Sequence, residues 1–92
     1  MKLWTQNEAI AYECAREVIS DVNAILTGEI ADESAKPNPD AARIARLSAE
    51  RTQHFQERAN LRIHDHDEIA RIRTDYGAEV RERRAQQRES VA

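Results

Sequence analysis

The sequence predicts an all-α fold: one domain over residues 1–92, an elongated three-helix antiparallel bundle or hairpin with a projecting C-terminal helix. Three observations carry that expectation. The stretch Thr5–Leu26, TQNEAIAYECAREVISDVNAIL, brings its apolar residues round at helical spacing. Glycine and proline number two each, too few for a loop-rich chain. Fifteen of the 37 apolar residues are alanine, and Trp4, Tyr12, Phe55 and Tyr76 are the only aromatics, so the core has to be thin and long.

The first helix organises the rest. On a helical projection Ile10, Ala11, Cys14, Ala15, Val18, Val22, Ile25 and Leu26 fall within about 160° of arc. A helix apolar over nearly half its girth wants two neighbours, or one neighbour and a separate partner. Thr5 and Glu8 have the spacing of a capping box and mark its start. Trp4 projects to the side of Val22 and is expected to lid the end of the bundle, with Met1–Trp4 as lead-in. The helix is placed at about 6–30, with its end between Gly28 and Ala35, because an interior glycine costs only about 1 kcal/mol.

Lys36-Pro37-Asn38-Pro39-Asp40 is the clearest break, and the linker is placed at about 33–38. Both prolines lack a backbone donor and push the preceding residue out of the helical region. Asn38 then reads as an N-cap with Pro39 at the first helical position, opening a second helix at about 39–60. Its stripe is Ile44, Leu47, Ser48, Arg51, Phe55 and Ala59, narrow and interrupted by an arginine. Leu61–His64 alternates as a short extended connector. Asp65 and Glu68 make a second capping-box-like pair ahead of a third helix at about 66–88, whose stripe is Ile69, Ile72, Tyr76 and Val80. Beyond Val80 the same face turns polar as Arg83, Arg84 and Gln87, so the last turns are expected to project or to reach a partner.

Charge and composition limit the function. The net charge of −3 divides into −5 over residues 1–35, +2 over 36–60 and zero over 61–92. A duplex-binding domain is normally clearly basic, so nucleic acid is not the expected partner. A lone cysteine, Cys14, lies on the apolar arc and reads as a small core residue in a reducing compartment. No apolar run approaches the length of a membrane span, and no signal-peptide core opens the chain; the expectation is a cytoplasmic protein without a membrane association.

Candidate chemistry is sparse. His64-Asp65-His66-Asp67-Glu68 has metal-ligand residue types, but five consecutive residues cannot all converge on one ion, and acidic residues at a helix start are expected from the dipole. Capping is the favoured reading, and no metal or other cofactor is assigned. The run Arg81–Arg88 holds four arginines without interleaved aromatics, so it lacks the stacking platforms of a single-strand binder. A nucleic-acid-binding regulator built on this tail is the rival reading. No phosphate loop, nucleophile elbow or metalloprotease motif is present, and no catalytic residue is assigned. What remains is surface for a protein partner: Arg51, Phe55 and Arg58 on the second helix, and Arg73, Tyr76 and Val80 on the third, with the arginine and aromatic mix of interface anchors. Homodimerisation is also open.

Three segments, EAIAYECAREVISDVNAI, PDAARIARLSAERTQHFQERANL and DEIARIRTDYGAEVR, resemble a group of small helical bacterial proteins encoded beside zeta-toxin-like kinases, among them the partner of a plant-pathogen type III effector. The similarity covers roughly residues 8–84 as a run of residue types rather than a catalytic signature. The resemblance implies an antitoxin or antitoxin-like chaperone. Its partner would be a P-loop kinase that phosphorylates a nucleotide or nucleotide sugar, with the helices docked over the kinase's nucleotide or substrate site. It supplies no inhibitory motif to carry over residue by residue. Arg73, Tyr76 and Gly77 lie in its most recognisable segment.

Overall fold

The computed structural model describes residues 3–91, with side chains through residue 89; Met1 and Lys2, part of the expected lead-in, and Ala92 lie outside the described residues. The described chain is all helical: α1 (Gln6–Ser34), α2 (Ala41–Asn60) and α3 (His66–Val91). No helix among the described residues is long and apolar enough to cross a membrane.

The start of α1 is capped as its sequence indicates. Thr5 Oγ1 accepts the Glu8 N–H at 3.1 Å, and Glu8 Oε1 accepts the Thr5 N–H at 2.8 Å. The helix continues through Gly28, where a Cβ would meet nothing within 4 Å, and ends at Ser34. That end lies within the expected range between Gly28 and Ala35, one turn past residue 30, since one glycine costs less than a turn of helix gains.

The second helix starts differently from the expectation. Asp40, not Asn38, is the N-cap, and its carboxylate accepts the Arg43 N–H at 3.1 Å. Both prolines stay in the linker. The Asp65–Glu68 capping pair does not form either. Asp65 Oδ2 accepts the Arg62 N–H at 3.0 Å, bracing the connector, while Glu68 is engaged by Arg71.

Contacts along the helices set their directions. The beginning of α1 meets the end of α2 through Arg16 and Arg58, and its end meets the beginning of α2 through Glu33 and Arg43, so these two run in opposite directions. Glu8 meets His66 while Glu29 meets Arg83, so α1 and α3 run in the same direction. The molecule measures 57 × 27 × 18 Å, with a radius of gyration of 15.8 Å. A compact chain of this length would come to about 12 Å.

The core is a single file along α1. Ala15, Ile19, Leu61, Ile69 and Ile72 form its lower half; Val22, Ile25, Leu26, Leu47 and Val80 form its upper half. Val18 and Tyr76 belong to both. The wide arc of α1 is thus covered by two neighbours from its own chain. Ile10, at the rim of that arc, is 51% exposed, and Cys14 is half-buried rather than enclosed.

The inward register of α2 also departs from the apolar stripe. Leu47 and His54 are its buried residues, and Phe55 is 56% exposed. The helix is turned so that a histidine, rather than the neighbouring phenylalanine, faces inward. Beside Leu47, the α1–α2 seam carries polar contacts. Asn23 Nδ2 donates to the Arg51 carbonyl at 3.3 Å, and Arg51 Nη1 donates to Thr27 Oγ1 at 3.1 Å.

Candidate functional site

The six residues expected to meet a partner occupy three different situations. Val80 is 5% exposed and belongs to the core, so it offers no surface. Tyr76 is half-buried. Its hydroxyl donates to Glu57 Oε1 at 2.6 Å and lies 3.3 Å from His54 Nδ1, with the two rings edge to face at 5.1 Å. Burial, and then the hydrogen bond to Glu57, push the Tyr76 phenol well above its ordinary range. Arg71 completes this group, bonding Glu57 at 3.1 Å from outside. Tyr76 therefore joins α3 to α2 and is not a free anchor.

Arg51 and Arg58 are half-buried fasteners. Arg58 Nε donates to the Arg16 carbonyl, and Arg16 Nη1 donates back to the Arg58 carbonyl, each at 3.4 Å. Phe55 stands exposed between them in sequence on α2. Arg73 is exposed too, but it lines a cleft of about 240 Å³ whose walls come from α1, the connector and α3, among them Asn7, Ala11 and Ile69. The fold thus keeps Arg51, Phe55 and Arg58 together and sets Arg73 apart from them.

At the same end of the molecule Trp4 does border the tip of the bundle. It lines an open cleft of about 410 Å³ with Tyr12, Leu61 and Ile63, and is 45% exposed.

Two carboxylates gather groups that sequence spacing did not connect. Glu33, 4% exposed, spans the interhelical linker. Its Oε1 accepts Lys36 Nζ at 3.0 Å and Arg43 Nη1 at 2.9 Å; its Oε2 accepts the Asp40 N–H at 3.1 Å. The Asp40 N–H, followed by Lys36, holds its carboxyl below the ordinary value. Glu8 does the equivalent work at the opposite end. While Oε1 serves the α1 cap, Oε2 lies 2.6 Å from His66 Nε2 and 3.1 Å from His64 Nδ1. The Thr5 N–H, with His66 and His64, draws the Glu8 carboxyl down to about 2 from 4.5. The histidines were visible as a local run; their partner, 56 and 58 residues upstream, was not.

No known family, curated protein or solved structure matches the chain. The reading of its function accordingly rests on the surfaces just described and on the sequence resemblance.

The two carboxylates make acid stability predictable. A carboxyl whose folded value lies below its unfolded one contributes stability that is fully present above the unfolded value and is lost as pH falls through the folded one. For Glu8 that window runs from about 4.5 down to about 2; Glu33 shifts in the same direction. Thermal melts followed by circular dichroism are expected to show falling stability across this range. Glu33→Gln should flatten the fall, and an unchanged slope in that variant would show that the linker does not depend on this carboxylate.

Proposed function

We propose that the chain is an elongated three-helix antiparallel bundle acting as an antitoxin or antitoxin-like chaperone. In this reading it has no catalytic activity of its own. It binds a zeta-toxin-like P-loop kinase and covers that kinase's nucleotide or substrate site. The observation that carries the reading is Phe55, a large aromatic held 56% exposed on α2 and flanked by arginines fastened to α1. An aromatic on a rigid frame loses little freedom on docking, and aromatic and arginine residues dominate binding energy where interfaces have been scanned. The sequence resemblance to partners of zeta-toxin-like kinases points to the occupant. A slender helical body, 57 Å long, suits recognition by laying a helix face along a groove.

The rival reading, nucleic-acid binding by the arginine tail, draws less support. Arg83 is folded back onto Glu29, Glu50 and Glu79 instead of standing free.

The test is recovery of the tagged chain from its native host at high salt, with mass spectrometry of what accompanies it. A stoichiometric P-loop kinase is the expected result. Phe55→Asp should then weaken the purified complex by about thirtyfold or more, the scale of a hot-spot anchor, while leaving the melting temperature unchanged. Full binding by that variant would remove α2 from the interface, and recovery of nucleic acid in place of a kinase would overturn the reading.

A further inference from the structure

We propose that Glu8, His64 and His66 form a site for one divalent transition-metal ion of the zinc class, which ties the start of α1 to the connector and the first residue of α3. The proposal is independent of the kinase reading and rests on three features of this cluster.

The first is the donor set. Two imidazole nitrogens and one carboxylate oxygen suit zinc, cobalt, nickel or copper, whereas calcium and magnesium call for six or more oxygen ligands. The second is convergence. The three ligand atoms lie within 4.8 Å of one another. In a tetrahedral site with metal–ligand bonds of about 2.0–2.1 Å, neighbouring ligand atoms stand about 3.3 Å apart. The Glu8–His64 separation of 3.1 Å is already close to that, and the Glu8–His66 separation of 2.6 Å has to open by less than about 1 Å. Both imidazoles are largely exposed, so small rotations meet little resistance.

The third feature is division of labour within Glu8. Its Oε1 is committed to the Thr5 N–H, which orients the carboxylate and leaves Oε2 directed at both histidines. Holding a ligand through its second atom is how metal sites fix their ligands. The connector is braced as well: the His66 N–H donates to the His64 carbonyl at 2.9 Å, and Asp65 accepts the Arg62 N–H. Asp65 is thereby turned to the backbone, and the two histidines on either side of it reach the same carboxylate oxygen. One oxygen facing two imidazoles has to be met by two N–H donors in the absence of an ion. A single dication replaces both protons and leaves a fourth position for water or for a side chain of a partner.

Cobalt(II) titration of tag-free protein near neutral pH tests the site, with Cys14→Ser in every sample so that the thiol cannot supply a ligand. The expected result is saturation at one equivalent, visible absorption of a four- or five-coordinate ion, and displacement by zinc. Zinc at a hundredfold excess over its Kd should raise the melting temperature by about 10 °C or more. His64→Asn and His66→Asn, both at exposed positions, should each weaken binding by at least about tenfold while retaining the helical circular dichroism spectrum. Glu8→Gln should do the same, and since it also touches the α1 cap, the two histidine variants decide the matter if it fails to fold. Absence of saturable binding would overturn the proposal, as would equal affinity in the doubly substituted His64→Asn/His66→Asn protein. So would a metal-free loss of stability on His66→Asn combined with no response to zinc, which would leave the cluster an ion pair and nothing more.

Discussion

Leu26→Ala is expected to cost about 3–4 kcal/mol, among the largest losses from a single truncation of α1. Leu26 is fully buried in the upper half of the core, with Leu47 from α2 and Val80 from α3 in the same cluster. Removing three carbon atoms there forfeits their transfer energy and leaves a cavity that three separate helices have to close to refill. A chain of 92 residues has a total stability of about 5–14 kcal/mol, so the substitution removes about a fifth of it or more. Urea unfolding followed by circular dichroism gives the measurement, with Ile10→Ala as control. Ile10 is half exposed at the rim of the same helix and should cost under about 1 kcal/mol. Equal effects at the two positions would mean that α1 does not hold its two neighbours through one file of residues.

That contrast shows how far the sequence could be read and where it stopped. The start of α1 was legible because a capping box is written in four consecutive residues, and those residues close it locally. The start of α2 was not. Proline at N1 after an asparagine cap is a sound local pattern, but Asp40 takes the cap, its side chain accepting the Arg43 N–H while its own N–H is held by Glu33, a pairing across the linker that local spacing did not show. The inward register of α2 failed for a related reason. Hydrophobicity alone places Phe55 inside, but His54 meets Tyr76 edge-on through Nδ1, while its buried Nε2 lies 3.5 Å from Glu50 without a hydrogen bond, and the aromatic is left outside. The histidine cluster repeats the lesson, since its residue types were plain and its third member lay at the other end of the chain. Local patterns were readable where no other residue competed for the same groups, as at Thr5 and Glu8, and misled where one did, as at Asn38 and at Asp65; partners across the fold were not readable.

Arg83→Met is expected to destabilise the protein by about 2 kcal/mol at low salt, and the effect should shrink as salt is added. The guanidinium is a point at which all three helices meet through charge. Nη1 reaches both oxygens of Glu29 on α1 at 3.0 and 3.2 Å, Nη2 lies 3.5 Å from Glu50 on α2, and Nε bonds Glu79 on α3 at 3.0 Å. Burial works against its charge, yet Glu29 and Glu79 more than offset that and hold it more firmly protonated than usual. With a side chain 21% exposed, the group lies between surface pairs, worth about 0–1 kcal/mol, and buried ones, whose disruption costs about 3–5. Methionine keeps the apolar stem and removes the charge, which leaves three carboxylates facing one another. Adding Glu50→Gln should therefore recover part of the loss, and the double-mutant cycle isolates the coupling. A variant as stable as the parent at low salt would show that the network contributes nothing and that Val80 alone anchors this end of α3. A loss that fades with salt and is partly recovered by Glu50→Gln would place Arg83 in the architecture. The exposed cations of the tail would then be Arg81, Arg84 and Arg88, too few to carry a nucleic-acid-binding function without a second copy of the chain.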